Sequence, residues 1–293
     1  MGSAELLQFA IAGLKNGSIY ALVALGFTIV YASTGVINFA QGEFVMLGGM
    51  LSWWVYSTFG VPLVLAGVCG VALTAAVGVV FELVAIRPRK DGDPLALIII
   101  TVGGSLLLGS LARHAFGPNE KSLPPFTAGP SLRFLGAAIE RQTVWIFVLT
   151  AIAVILLTAL YRYTKLGKAM RACSIDRSAA RLVGIDPRAM VTLSFALAAA
   201  LGALAGLATT PLTQTAFDVG SSFGIKGFAA AILGGLGNPL AAVVGGLVLG
   251  LLESMSIAFI SSTFKDAISL VVLLVVLFVR PQGLLGGKGR EKV

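Results

Sequence analysis

The stretch Ser33–Phe44, "STGVINFAQGEF", sets Thr34, Asn38, Gln41 and Glu43 beside Gly35 and Gly42, between two apolar runs. Amide side chains carry donors and acceptors together, and glycines let backbone groups face a solute. Glu43 falls at the start of the next helical segment, where the helix dipole favours an anion. One reading is a broken helix lining a water-filled path, with Asn38 and Gln41 presented to a polar solute. A tight turn between two ordinary helices calls for the same residue types. The residues alone leave both readings open.

Other chemistry is sparse. The one histidine, His114, sits beside Arg113 with no ligand cluster around it, so no metal site is expected. Neither GxSxG nor HExxH occurs. The phosphate-binding loop pattern also fails, because Ala169 follows Lys168 and Arg162 stands where its first glycine belongs. Two further acids lie in apolar runs, where a charge costs about 2.5–3.5 kcal/mol at mid-bilayer. Glu82, near the basic segment 87–93, is expected at the interface. Glu253 lies deeper, where a hydrogen bond to a neighbouring helix would hold it.

These residues belong to a chain of 293 residues, 57% hydrophobic and 12% charged, with mean hydropathy +0.95. Soluble domains carry about a quarter charged residues, so this is a polytopic membrane protein. Apolar runs occupy 17–32, 44–59, 61–86, 94–112, 143–161, 189–212, 239–260 and 267–280, with a shorter one at 224–237. Runs this long and continuous exclude barrel strands. The predicted fold is all-α, one transmembrane domain over 1–293 with about 8–9 transmembrane elements.

The formal charge of +8 is concentrated in 87–93, 162–188 and 280–293. Lys and Arg retained on the cytoplasmic side give this pattern; nucleic-acid binding would need interleaved aromatics, which are absent. All three regions lie on one side only if 224–237 also enters the membrane. "ILGGLGNPL" (232–240) then marks a break, through Pro239 and its glycines. By that count the N-terminus is outside and the C-terminus inside. Two interrupted segments follow, 33–44 and 233–239, near opposite ends of the chain. Such pairs point to a transport site. Ala198, Gly202 and Gly206, like Gly246 and Gly250, are spaced for close helix packing. Segment 117–142, rich in Pro and Gly, reads as an extracytoplasmic loop that either docks a soluble partner or forms a packed cap. In the basic loop, Met170, Cys173, Ala180 and Val183 have helical spacing, so a mixed helix there must rest on something. Cys69 and Cys173 lie too far apart in this layout to pair.

At this point a family enters. "GSIYALVALGFTIVYASTGVINFAQGEFVMLGG" (17–49) resembles the N-terminal signature of bacterial branched-chain amino-acid ABC transporter permeases of the LivH type. The likeness continues through 164–186, 224–253 and 265–286 and is weakest in 117–142. It implies a multi-pass permease of the bacterial cytoplasmic (inner) membrane that imports branched-chain or other hydrophobic amino acids by alternating access. It also implies a second, related permease chain, two cytoplasmic ATP-binding subunits and an extracytoplasmic substrate-binding protein. The chain itself would be no enzyme and bind no cofactor; ATP and Mg would reside on the partner subunits.

Site residues follow from the same resemblance. Asn38, Gln41, Gly42 and Glu43, facing Gly234, Gly235 and Gly237, would form the path or its gate. "SAARLVG" (178–184) keeps Ala179, Ala180 and Gly184 of the importer coupling helix but has Ser178 where that pattern has Glu. Arg171 and Asp176 would belong to the same coupling element. A competing reading is an autonomous channel or secondary transporter, with Glu253 as its coupling acid. A membrane enzyme would need a catalytic cluster that the sequence does not offer.

Overall fold

The computed structural model describes residues 2–89, 93–134, 136–259, 262–263, 265–280 and 282–285. Two helices open it, α1 (Ser3–Thr34) and α2 (Gln41–Phe59), followed by α3 (Leu63–Phe81), which continues as a π-helical turn over Glu82–Ile86. After α4 (Pro94–Phe116) comes a short antiparallel hairpin, β1 (Leu132–Phe134) and β2 (Ala137–Ile139), with Arg133 opposite Ala138. The chain goes on through α5 (Arg141–Tyr163), α6 (Lys165–Ile175), α7 (Arg177–Leu182) and α8 (Pro187–Thr213). It closes with α9 (Val219–Gly234), α10 (Pro239–Phe259) and α11 (Lys265–Val279).

Six of these helices, α1, α3, α4, α5, α8 and α10, are long and apolar enough to cross a membrane. Two shorter apolar helices, α9 and the later part of α11, join them, as does α2. Burial sorts them. The best apolar window of α1 is 83% buried, whereas those of α3, α4 and α5 are 22–28% buried. Val68, Leu106 and Ile155 on those three helices are exposed and apolar, as lipid contact requires. Residues 41–50 of α2 are buried without interruption. A helix covered on every side lies at the centre of its bundle, and α2 packs there against α3, α8 and α9.

Small residues set two close crossings. A Cβ on Gly17 of α1 would come within 2.8 Å of Leu247 Cα on α10, and one on Gly246 within 2.5 Å of Ala21 N. A Cβ on Gly202 of α8 would sit 2.9 Å from Phe44 Cβ on α2. Both small-residue rows seen in the sequence are thus helix contacts, α10 on α1 and α8 on α2.

Two expectations are corrected, and two further features are added. Helix α1 begins at Ser3, not at 17, because Gly13 and Gly17 carry its early turns against α10 despite Lys15 and Asn16. Its 32 residues span roughly 48 Å, more than a hydrocarbon core of about 30 Å. Segment 117–142 contains the hairpin and is tied to the bundle. Gln8 Nε2 donates to the Ala138 carbonyl at 2.9 Å, and Ala138 N–H to Gln8 Oε1 at 2.8 Å. Lys121 and Thr215 exchange backbone hydrogen bonds of 2.8 Å. Glu82, beside Arg87 at the basic end, is fully buried: Thr192 Oγ1 donates to its Oε2 at 2.8 Å and Arg87 Nε stands 3.7 Å from Oε1. Finally, the basic loop holds two helices, not one, and Val183 is exposed.

The described parts of the three basic regions converge on one end of the bundle. Arg87 Nη2 donates to Thr192 Oγ1 at 3.3 Å, near the start of α8 and beside α6–α7. The guanidinium of Arg177 donates to the carbonyl of Ser33, at the end of α1. Leu284 and Leu285 N–H groups donate to the Leu233 and Gly234 carbonyls at 2.8 and 3.0 Å, capping α9 with the C-terminal segment. The hairpin and the start of α1 occupy the opposite end.

Candidate functional site

The first interruption is six residues long. Gly35 takes the left-handed conformation (φ +73°), and its N–H donates to the Tyr31 carbonyl at 2.7 Å, ending α1. Asn38 Oδ1 accepts from Ala40 N–H at 3.1 Å, an Asx-type turn. Phe39 N–H donates to Thr101 Oγ1 on α4 at 3.2 Å. Gln41, Gly42 and Glu43 then form the first turn of α2, so the break covers 35–40 within the expected 33–44.

Asn38, Gln41 and Glu43 are buried and half satisfied. Gln41 Nε2 donates to the Ala198 carbonyl on α8 at 2.9 Å, in space that the absent side chain of Gly26 leaves open; a Cβ there would be 2.6 Å from Gln41 Cδ. Ser105 Oγ on α4 donates to Glu43 Oε1 at 2.8 Å. A Cβ on Gly220 would sit 2.6 Å from Glu43 Cδ, and one on Gly42 2.7 Å from Gly224 Cα. Among the described residues six buried side-chain atoms lack a hydrogen-bond partner, and three are Asn38 Nδ2, Gln41 Oε1 and Glu43 Oε2. Buried polar atoms normally find partners, so three orphans within six residues mark a place suited to water or a polar solute.

At the second interruption, α9 stops at Gly234; Gly235 (φ +126°) and Gly237 (φ +92°) turn the chain, and Asn238 Oδ1 accepts from Leu240 N–H at 3.1 Å to start α10. A Cβ on Gly245 would lie 2.5 Å from Gly234 N, so the two helices touch at the turn itself. Both interruptions reach one cavity of about 940 Å³. Tyr31, Thr34 and Gly35 form one wall, Gly237 another, and Cys173–Arg177 the third. Gln41, Gly42 and Glu43 are not on this cavity but lie deeper, between α2, α4, α8 and α9. Thr34 lines both the cavity and a narrow pocket that contains Asn38 and Thr101.

The basic loop presents two faces. Thr164 Oγ1 accepts from Gly167 N–H at 3.0 Å to start α6. Asp176 Oδ1 accepts from Ser178 and Ala179 N–H groups at 2.7 and 3.0 Å to start α7. Met170, Cys173 and Ala180 pack into the main core cluster. Gly184 (φ +81°) ends the element, and Ile185 N–H donates to the Ala180 carbonyl at 3.0 Å. Arg171, Ala179 and Gly184 are exposed, as is Asp176 on the cavity wall. Leu182 and Val183 are exposed too, as is Ile175 on that wall, three apolar side chains 74–89% exposed.

Sequence reasoning missed two features. One is the tie from Arg177 to Ser33, which joins the basic loop to the first interruption. The other is Lys226, whose Nζ donates to Glu253 Oε1 at 2.7 Å while Tyr20 Oη donates to Oε2 at 2.6 Å. A lone Lys inside the apolar run 224–237, opposite a lone Glu in the next, was the available signal.

A bundle with a buried central helix, two interruptions sharing one cavity and a capped loop of short helices at one end is a membrane permease. Residues 9–278 match the family described as branched-chain amino acid transport system, permease component. The chain is 36% identical, over 98% of its length and 97% of the relative's, to the high-affinity branched-chain amino acid transport system permease protein LivH of Escherichia coli (strain K12). It is 34% identical, over 98% of both chains, to the corresponding permease protein BraD of Pseudomonas aeruginosa. A probable branched-chain amino acid transport permease protein LivH of Methanocaldococcus jannaschii is 28% identical over 98% of this chain and 93% of its own. The chain belongs to the branched-chain amino acid transport permease family.

Proposed function

We propose that this chain is the permease subunit of an ATP-driven importer for branched-chain or other hydrophobic amino acids. It works by alternating access in the bacterial cytoplasmic membrane. The observation that carries the reading is the shared cavity: α6–α7 forms one wall, and both interruptions form the others. A push on α6–α7 therefore moves the cavity directly, and Arg177 passes it to the end of α1. Asn38, Gln41, Gly42 and Glu43 form the gate beyond the cavity, and Gly234, Gly235 and Gly237 form its facing hinge.

Two ATP-binding subunits, which hold ATP and Mg and hydrolyse the nucleotide, seat on the exposed side of α6–α7. Arg171, Asp176, Ala179 and Gly184 contribute to that seat, and Leu182 and Val183 supply its apolar contact. Ala180 anchors the element from beneath. The basic end of the bundle, with the C-terminus, is cytoplasmic. A second, related permease chain completes the path, and a substrate-binding protein delivers to the hairpin end.

Gentle-detergent purification from the native membrane, with mass spectrometry of the co-purifying chains, tests this. The expected result is stoichiometric ATP-binding subunits and a second permease, with the ATP-binding subunits lost from the Leu182→Asp, Val183→Asp variant. A chain that purifies alone and still moves solute in liposomes would overturn it.

A further inference from the structure

A second polar site lies away from the shared cavity, between α1, α9, α10 and α11. Tyr20 lies 14 residues before the end of α1 at Thr34, and Glu253 14 residues after the start of α10 at Pro239. Each is about 21 Å from the basic end of the bundle at 1.5 Å per residue, inside a hydrocarbon core of about 30 Å. At this depth Glu253 receives a proton donor on each oxygen, Lys226 Nζ at 2.7 Å and Tyr20 Oη at 2.6 Å. The carboxylate is buried, yet the Lys226 side chain is 25% exposed.

That exposure constrains the surroundings. An ammonium at mid-depth does not face lipid; it faces protein or a watered cavity. A cavity of about 210 Å³ opens beside it, well above the roughly 10–15 Å³ that one water needs. Ser222, Lys226 and Glu253 supply its polar side, and Ala229, Leu249 and Leu270 its apolar side. The site thus holds one cation, one anion and an apolar wall within reach of each other.

We propose that this cavity is a way-station for a free amino acid with an apolar side chain, held as its zwitterion. Its ammonium takes the place of Lys226 at Glu253, its carboxylate receives Lys226, and its side chain lies against Leu249 and Leu270. Tyr20 keeps Glu253 in position throughout. Opening the pair around a zwitterion leaves every charge compensated. A solute with only one charge leaves one buried charge unpaired, which low-dielectric surroundings penalise heavily. Selection for zwitterions over amides and carboxylic acids follows from that difference. This deepens the importer reading and rests on it for what passes through the bundle.

The test is saturation-transfer NMR on the full chain in lipid nanodiscs, with L-leucine, L-leucinamide and 4-methylpentanoate as probes. L-leucine should bind about tenfold or more tightly than either analogue, the scale of a charge-assisted contact. Lys226→Met should weaken L-leucine and 4-methylpentanoate but spare L-leucinamide, whereas Glu253→Gln should spare only 4-methylpentanoate. Removing one partner can unfold the chain, so the double variant Lys226→Met, Glu253→Leu matters most. Replacing both members with apolar residues preserves folding in many buried pairs. With an unchanged melting temperature it should lose the preference for L-leucine. Equal binding of the three probes by the wild type, no binding of any, or a double variant that keeps the preference would overturn the way-station. Failure of the importer reading would show separately, as an assembled complex without ATP-dependent uptake.

Discussion

At Asn38 and Glu43, burial is not matched by full hydrogen bonding. Both are almost completely buried, and each leaves one polar atom without a partner. A residue kept only for stability would satisfy its hydrogen bonds or be apolar. Asn38→Leu should therefore lower uptake about tenfold, the scale of one hydrogen bond to a solute or its water, while the complex still assembles. Uptake in whole cells beside a pull-down of the complex checks this; loss of the complex itself would favour the plain-turn reading. Glu43→Gln retains an acceptor for Ser105 and removes the charge, so it should alter uptake with little change in melting temperature. Glu253 differs in kind. Its oxygens are fully engaged by Lys226 and Tyr20, which does not suit the free coupling acid that a secondary transporter would need.

At the scale of elements, α6–α7 and the α1–α10 crossing make separate predictions. Arg177 bonds the basic loop to the end of α1, a charge-assisted bond of the class worth about 1.5–3 kcal/mol. Arg177→Ala should leave ATP hydrolysis by the assembled complex in place and reduce uptake, an uncoupled phenotype read by assaying both in one proteoliposome preparation. Gly246→Leu acts on packing instead. With a Cβ alone already 2.5 Å from Ala21 N, the larger side chain should destabilise the bundle by about 1–3 kcal/mol or more, visible as a lowered melting temperature in detergent. Both interruptions were legible in the sequence, because glycine, asparagine and proline mark helix ends through local backbone chemistry. The start of α1 was not, since Lys15 and Asn16 break the apolar run while Gly13 and Gly17 bind it to a helix over two hundred residues away. The hairpin was missed because Leu132–Ile139 is too short to show a strand period, and tertiary bonds from Gln8 stabilise it.

Across the whole molecule, the charge distribution and the geometry describe one machine. Hydropathy found the lipid-facing helices but undervalued α2, whose polar first turn lowers its score although its residues 41–50 are buried without interruption. The gathering of Lys and Arg at one end follows from chain parity; the cavity at that end, with α6–α7 in its wall, is a product of folding and has no local signal. The ion pair of Lys226 and Glu253 was half visible: each charge stood out, but only the packing of α9 on α10 pairs them.

The most direct test is thiol accessibility of the cavity wall. In a chain with Cys69 and Cys173 replaced by serine, Ala32→Cys places one thiol on the cavity lined by both interruptions and α6–α7. A membrane-impermeant maleimide should label it readily in the nucleotide-free assembled complex. Labelling should fall about tenfold or more when ATP and vanadate trap the partner subunits, because closing the cavity excludes the reagent. Equal labelling in both states, with trapping verified by arrested ATP hydrolysis, would contradict alternating access driven through α6–α7.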